Sequence, residues 1–155
     1  MRAGAFRCGT PVTGQNFLVE GEFGEGAYGP TILLKLRSPE AASYLRSIIE
    51  RLVSGRPGAS LRLEEDPGVS LGASLWTLNL RVVADPQLRR LSRDQEGGFT
   101  WVGTPDEWQT TSMLMEELTR ESGHQYLTSE VDDDALVEVS QGEAHRPMPT
   151  MPPTT

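Results

Sequence analysis

The chain has 155 residues, 37% of them hydrophobic, and carries 22 acidic against 14 basic side chains, a formal charge of −8. That length suits one domain able to bury roughly two-thirds of its unfolded surface. The charge argues against non-specific DNA or RNA binding and against docking on an anionic membrane, both of which need a surplus of Lys and Arg. A single cysteine, Cys8, leaves no internal disulfide and suits a reducing compartment. No apolar run reaches 18 residues, and the first residues hold no apolar stretch of signal-peptide length, so the expectation is a cytoplasmic protein.

Gly4, Gly9, Pro11 and Gly14 break any pattern in residues 1–14, an irregular lead-in. Residues 17–23 and 31–37 alternate apolar with polar side chains, and the Gly-rich stretch 24–30 between them predicts a β-hairpin. Ser38-Pro39-Glu40 is a helix start: Ser as N-cap, Pro at the first helical position, an acid in the first turn. Ala41, Leu45, Ile48, Ile49 and Leu52 follow at helical spacing, and Gly55 is the expected stop. Residues 60–64 suit a short strand, and Asp66-Pro67-Gly68 a turn.

The clearest strand is 75–85, with Trp76, Leu78, Leu80 and Val82 on its apolar face and Pro86 ending it. Residues 87–97 are polar and basic, an exposed loop or a turn of helix. Phe99 to Val102 is another short strand. Thr104-Pro105-Asp106-Glu107 then opens a second helix with a capping box. Trp108, Thr111, Met115 and Leu118 form its apolar stripe, and Gly123 is its expected terminator. With Met115 inward, Met113 or Leu114 must face away. Leu136, Val137 and Val139 form a last strand.

The order β-β-α-β-β-β-α-β predicts an α+β domain over residues 15–143, a mainly antiparallel sheet with two helices packed on one face. Residues 144–155, rich in Pro, Met and Thr, are expected to be a disordered tail.

Catalytic motifs are absent. There is no Gly-x-Ser-x-Gly elbow, and Gly24, Gly26 and Gly29 form no phosphate-binding fingerprint. A metal site needs three or four convergent donors, and His124, His145 and Cys8 are the only imidazoles and thiol. Asp132-Asp133-Asp134 lacks the spacing of a calcium-binding loop. No metal and no cofactor is predicted. His124 is a general-base candidate, but a histidine held by the dipole of a helix C-terminus is the preferred reading. Trp101 and Trp108 are expected in the core.

The charge is unevenly spread. Residues 104–143 hold 11 acids and one base, Arg120, whereas residues 1–103 hold 11 acids and 12 bases. A stretch of one sign points to a cationic partner.

This last third, with Trp101-x-Gly103, Trp108, Gly123-His124-Gln125-Tyr126-Leu127 and Val137-x-Val139-Ser140-x-Gly142-Glu143, resembles small α+β immunity proteins of bacterial polymorphic toxin systems. The resemblance follows the element order over about residues 16–143 and is specific only over 101–143. It implies a protein that neutralises a cognate toxin by binding it, with no catalytic residue to carry over. Charge and resemblance together suggest an acidic surface that occludes a basic toxin cleft by steered association. Its candidate residues are Glu116, Glu117, Glu121, His124, Tyr126, Glu130, Asp132, Asp133 and Asp134, in a monomer or weak homodimer. Neutralising the three aspartates is then expected to slow association without unfolding the domain. The alternatives are an adaptor that binds another protein and a small-molecule enzyme centred on His124.

Overall fold

The structure is a computed structural model and describes residues 17–54, 58–127 and 133–142. These form an α+β fold of two helices and nine strands in two mixed sheets. The first sheet contains β1 (Val19–Gly26), β2 (Gly29–Leu36), β4 (Val69–Leu71), β8 (Gly123–Tyr126) and β9 (Leu136–Gln141), in the order β4-β1-β2-β9-β8. The second contains β3 (Ser60–Arg62), β5 (Leu78–Val82), β6 (Arg90–Arg93) and β7 (Phe99–Gly103), in the order β3-β5-β7-β6. Among the described residues four strand pairings are antiparallel and three parallel.

Both helices begin where their capping signals lie. In α1 (Pro39–Val53) the Ser38 hydroxyl accepts from the Ala41 N–H at 3.2 Å. In α2 (Pro105–Leu118) Thr104 and Glu107 complete the reciprocal capping box, at 3.2 and 2.9 Å. The helices pack on each other and on the face of the first sheet that carries Ile32, Leu34, Leu36, Val137 and Val139, all within one buried cluster. Ser112, fully buried, links them: it accepts from the Arg46 Nε at 3.1 Å and donates to Glu50 at 3.2 Å.

Trp101 and Trp108 are both buried, with ring centroids 4.7 Å apart. The Trp108 indole N–H donates to the Arg81 carbonyl at 3.0 Å, so its one polar atom is satisfied inside the core. Phe23 of β1 lies 5.0 Å from Phe99 of β7 and joins the inner faces of the two sheets.

The structure corrects several expectations. The strands divide into two mixed sheets rather than one, and β4, β6 and β8, three or four residues each, were not foreseen because they are too short to show a period of two. Residues 63–65 are a 3-10 turn, and the 87–97 loop contains β6. Strand β5 starts at Leu78, so Leu75 is buried while Trp76 is 53% exposed, its indole donating to the Glu96 carbonyl at 3.2 Å. Helix α2 ends at Leu118, capped by Thr119, and Gly123, with φ of +151°, opens β8. Met113 is the residue that faces away, at 60% exposed. The expected lead-in, the tail and the Gly55 stop fall outside the described residues. No described helix is long and apolar enough to cross a membrane.

Candidate functional site

Of the 11 acids between 104 and 143, eight are described, and they do not share a face. Four are engaged by residues from the first two-thirds of the chain. Glu107 meets Arg89 at 2.6 Å. Glu116 lies 3.8 Å from both Arg46 and Arg120. Asp134 lies 3.9 Å from Arg90. Asp133 and Asp134 accept backbone N–H groups of β6, from Leu91 at 2.8 Å and from Arg93 at 2.7 Å. The one-sign stretch of sequence is therefore not a one-sign surface: folding brings arginines onto it. Asp106, Glu117, Glu121 and Glu138 make no ion pair among the described residues. Glu130 and Asp132 lie outside them.

Asp133 and Asp134 occupy the place of a further strand beside β6. Besides the two carboxylate bonds, the Asp134 N–H donates to the Leu91 carbonyl at 2.9 Å. An open strand edge is a template for unwanted pairing. Here three of its backbone groups are closed by the segment leading into β9, which also ties the second sheet to the first. These two carboxylates serve the fold, a role invisible in sequence because their partners lie about 40 residues away.

His124 and Tyr126 sit elsewhere, on β8, on the face of the first sheet opposite the helices. The register places His124 beside Ser140 and Lys35, and Tyr126 beside Glu138 and Leu33. The two rings meet edge to face at 5.7 Å, and Tyr28 meets Tyr126 edge to face at 5.5 Å. Ring pairs of this geometry attract through their quadrupoles. Tyr28 occupies the two-residue turn between β1 and β2, held there by the Gly26–Gly29 pair, and is 74% exposed. The Glu22–Lys35 pair at 2.9 Å and the Glu20–Arg37 pair at 2.7 Å complete this face. Its centre is already dry: Thr31, Leu33 and Ser140 are buried, and Leu33 is outside the main core cluster.

Tyr28 escaped the sequence reading because it lies in a Gly-rich turn. Helix α2 ends at Leu118, and His124 is the second residue of β8 rather than part of the helix terminus. Among the described residues no group of three His, Cys, Asp or Glu side chains could hold a metal ion. No protein-family model, no curated protein and no solved structure matches the chain.

Proposed function

We propose that this chain is a non-enzymatic binding protein of the immunity type, which neutralises a cognate bacterial toxin in the cytoplasm. It docks through the helix-free face of the five-stranded sheet. The observation that carries this reading is the aromatic run of Tyr28, Tyr126 and His124 on that face. Aromatic side chains at a rigid, partly dry surface are the usual anchors of a protein interface, because they bury much area at small entropic cost. The sequence resemblance over 101–143 contains two of the three rings. Glu138 beside Tyr126 and Glu121 just before β8 favour a basic partner and speed its encounter. The acidic contribution is thus an accessory to an aromatic centre.

The test is co-expression with candidate toxic domains taken from the genes that neighbour this one, scored by growth. The expected result is rescue by the natural chain and loss of rescue by Tyr28→Ala/Tyr126→Ala with an unchanged circular dichroism spectrum. Rescue retained by the folded double variant overturns the surface. Failure of the natural chain to rescue growth or to form a complex with the purified toxic domain overturns the function.

A further inference from the structure

The helix-free face of the five-stranded sheet carries Glu20, Glu22 and Glu138 against the fixed positive charges of Lys35 and Arg37. Two of these carboxylates are matched: Glu22 meets Lys35 at 2.9 Å and Glu20 meets Arg37 at 2.7 Å. Glu138 is left over. It makes no ion pair and no side-chain hydrogen bond among the described residues. Nor is it a rim residue: it projects from β9, which lies between β2 and β8, and is half-buried. A carboxylate in such a place loses part of its hydration and regains nothing from the fold. The register fixes its neighbours. Tyr126 stands directly opposite it on β8, and the buried Leu33 on β2. His124, the partner of Ser140, lies on the diagonal.

We infer that Glu138 is the receptor for one arginine side chain of the partner protein, whose guanidinium bonds to the carboxylate and lies against Tyr126. The inference rests on the reading of this face as a protein interface. Opposed residues on one face of an antiparallel pair hold their Cβ atoms roughly 5 Å apart. A cation bonded to Glu138 therefore comes within about 6 Å of the Tyr126 ring, the range of cation–π attraction. That ring is restrained by its edge-to-face contacts with Tyr28 at 5.5 Å and His124 at 5.7 Å. Arginine fits better than lysine: its planar guanidinium offers a carboxylate two parallel N–H groups and stacks on an aromatic ring, whereas an ammonium is more strongly hydrated. A divalent cation needs several oxygen ligands, and the neighbouring carboxylates are held by Lys35 and Arg37. An apolar partner would bury the Glu138 charge unpaired.

NMR titration of the full chain with N-acetyl-arginine amide tests the site with no toxic domain present. The controls are the lysine counterpart and the citrulline counterpart, which keeps the shape of arginine and lacks its charge. Arginine is expected to give a saturable, millimolar shift of the β8 and β9 backbone signals. Lysine should bind about fivefold more weakly, and citrulline about tenfold more weakly, for the loss of a charge-assisted bond. Glu138→Gln, a nearly isosteric change at a side chain without partners in the fold, should leave the spectrum folded and reduce arginine to the level of citrulline. Absence of a saturable shift at β8 and β9, citrulline binding as well as arginine, or arginine binding unchanged by Glu138→Gln each overturns the inference. These outcomes separate from those of the growth test. Rescue by the natural chain without arginine selectivity removes this site and leaves the toxin reading standing, and arginine selectivity without rescue does the reverse.

Discussion

The two sheets differ in what they turn outward. The five-stranded sheet shows Tyr28, His124 and Tyr126 among paired carboxylates and bases. On the four-stranded sheet, the register sets Ser60, Arg81, Val102 and Arg90 in one outward row, and Arg62, Asn79, Thr100 and Ser92 in the next. Those two rows hold arginines, small polar side chains and Val102, and no ring. Their treatment by residues 104–142 differs as well. The same short length of chain lends His124 and Tyr126 to the outer face of one sheet and spends two aspartates on closing the edge of the other. Proximity in sequence is therefore a poor guide to shared function here: His124 and Asp133 are nine positions apart and serve different purposes.

If this division is right, removing the edge closure harms the fold and removing the rings harms only binding. The largest effect is expected from Asp133→Ala/Asp134→Ala, which strips the acceptors from two strand N–H groups. Urea unfolding should show a loss of about 2–3 kcal/mol, because the Leu91 N–H is shielded from water while that of Arg93 is rehydrated. This reverses the expectation from sequence that neutralising the run leaves the fold intact, and an unchanged unfolding midpoint would restore it. Next comes Tyr28→Ala/Tyr126→Ala, for which the loss is in affinity, about 2 kcal/mol or some thirtyfold in Kd for the toxic domain. Surface plasmon resonance measures it, and a change below about threefold would break the contrast between the faces.

Smaller effects sharpen the boundary. Thr104→Ala removes the N-cap of α2 and should cost about 1 kcal/mol in thermal unfolding. Tyr44→Phe probes a site away from both faces. The Tyr44 hydroxyl donates to Asp66, and this bond, with burial and the Asp66 charge, raises the phenol above its ordinary value of 10.0. A raised folded pKa means a contribution fully present below pH 10.0 that disappears as pH climbs through the folded value. Unfolding followed from neutral to alkaline pH should therefore show a decline that the phenylalanine variant lacks. Last, Arg81→Glu on the outward row of the four-stranded sheet should leave toxin affinity unchanged and stability within about 0.5 kcal/mol.

The sequence declared what is local. Ser38-Pro39 and Thr104-Pro105-Asp106-Glu107 mark both helix starts because a cap uses residues within one turn. The stripes of Leu45, Ile48, Ile49 and Leu52 and of Trp108, Met115 and Leu118 are buried as helical spacing demands. The α+β class followed from these helices and the hairpin. What depends on distant partners was not legible. The three residues of β4 follow a turn and have no period to detect, and Trp76 alternates with Leu78 although the ladder begins only at Leu78. The arginines that meet Glu107 and Glu116 come from 18 and 70 positions upstream, so counting charge along the chain overstated the acidity of the surface. At the candidate face, His124 and Tyr126 were found, whereas Tyr28 required knowing that its ring meets Tyr126, 98 positions further along the chain.

The parallel pairing of β2 with β9 has a consequence for synthesis. Thr31 and Leu136 are partners in register. The centre of the five-stranded sheet thus closes a loop of roughly 100 residues, a costly, long-range step that slows folding. At ribosomal speeds of roughly 5–20 residues per second, the β1–β2 hairpin emerges about 5–20 s before its neighbour exists. During that interval the β2 edge has only the nascent chain, a chaperone or another hairpin to meet. Yield in a cell is therefore set by how that edge is guarded while translation proceeds, as well as by the stability of the finished domain.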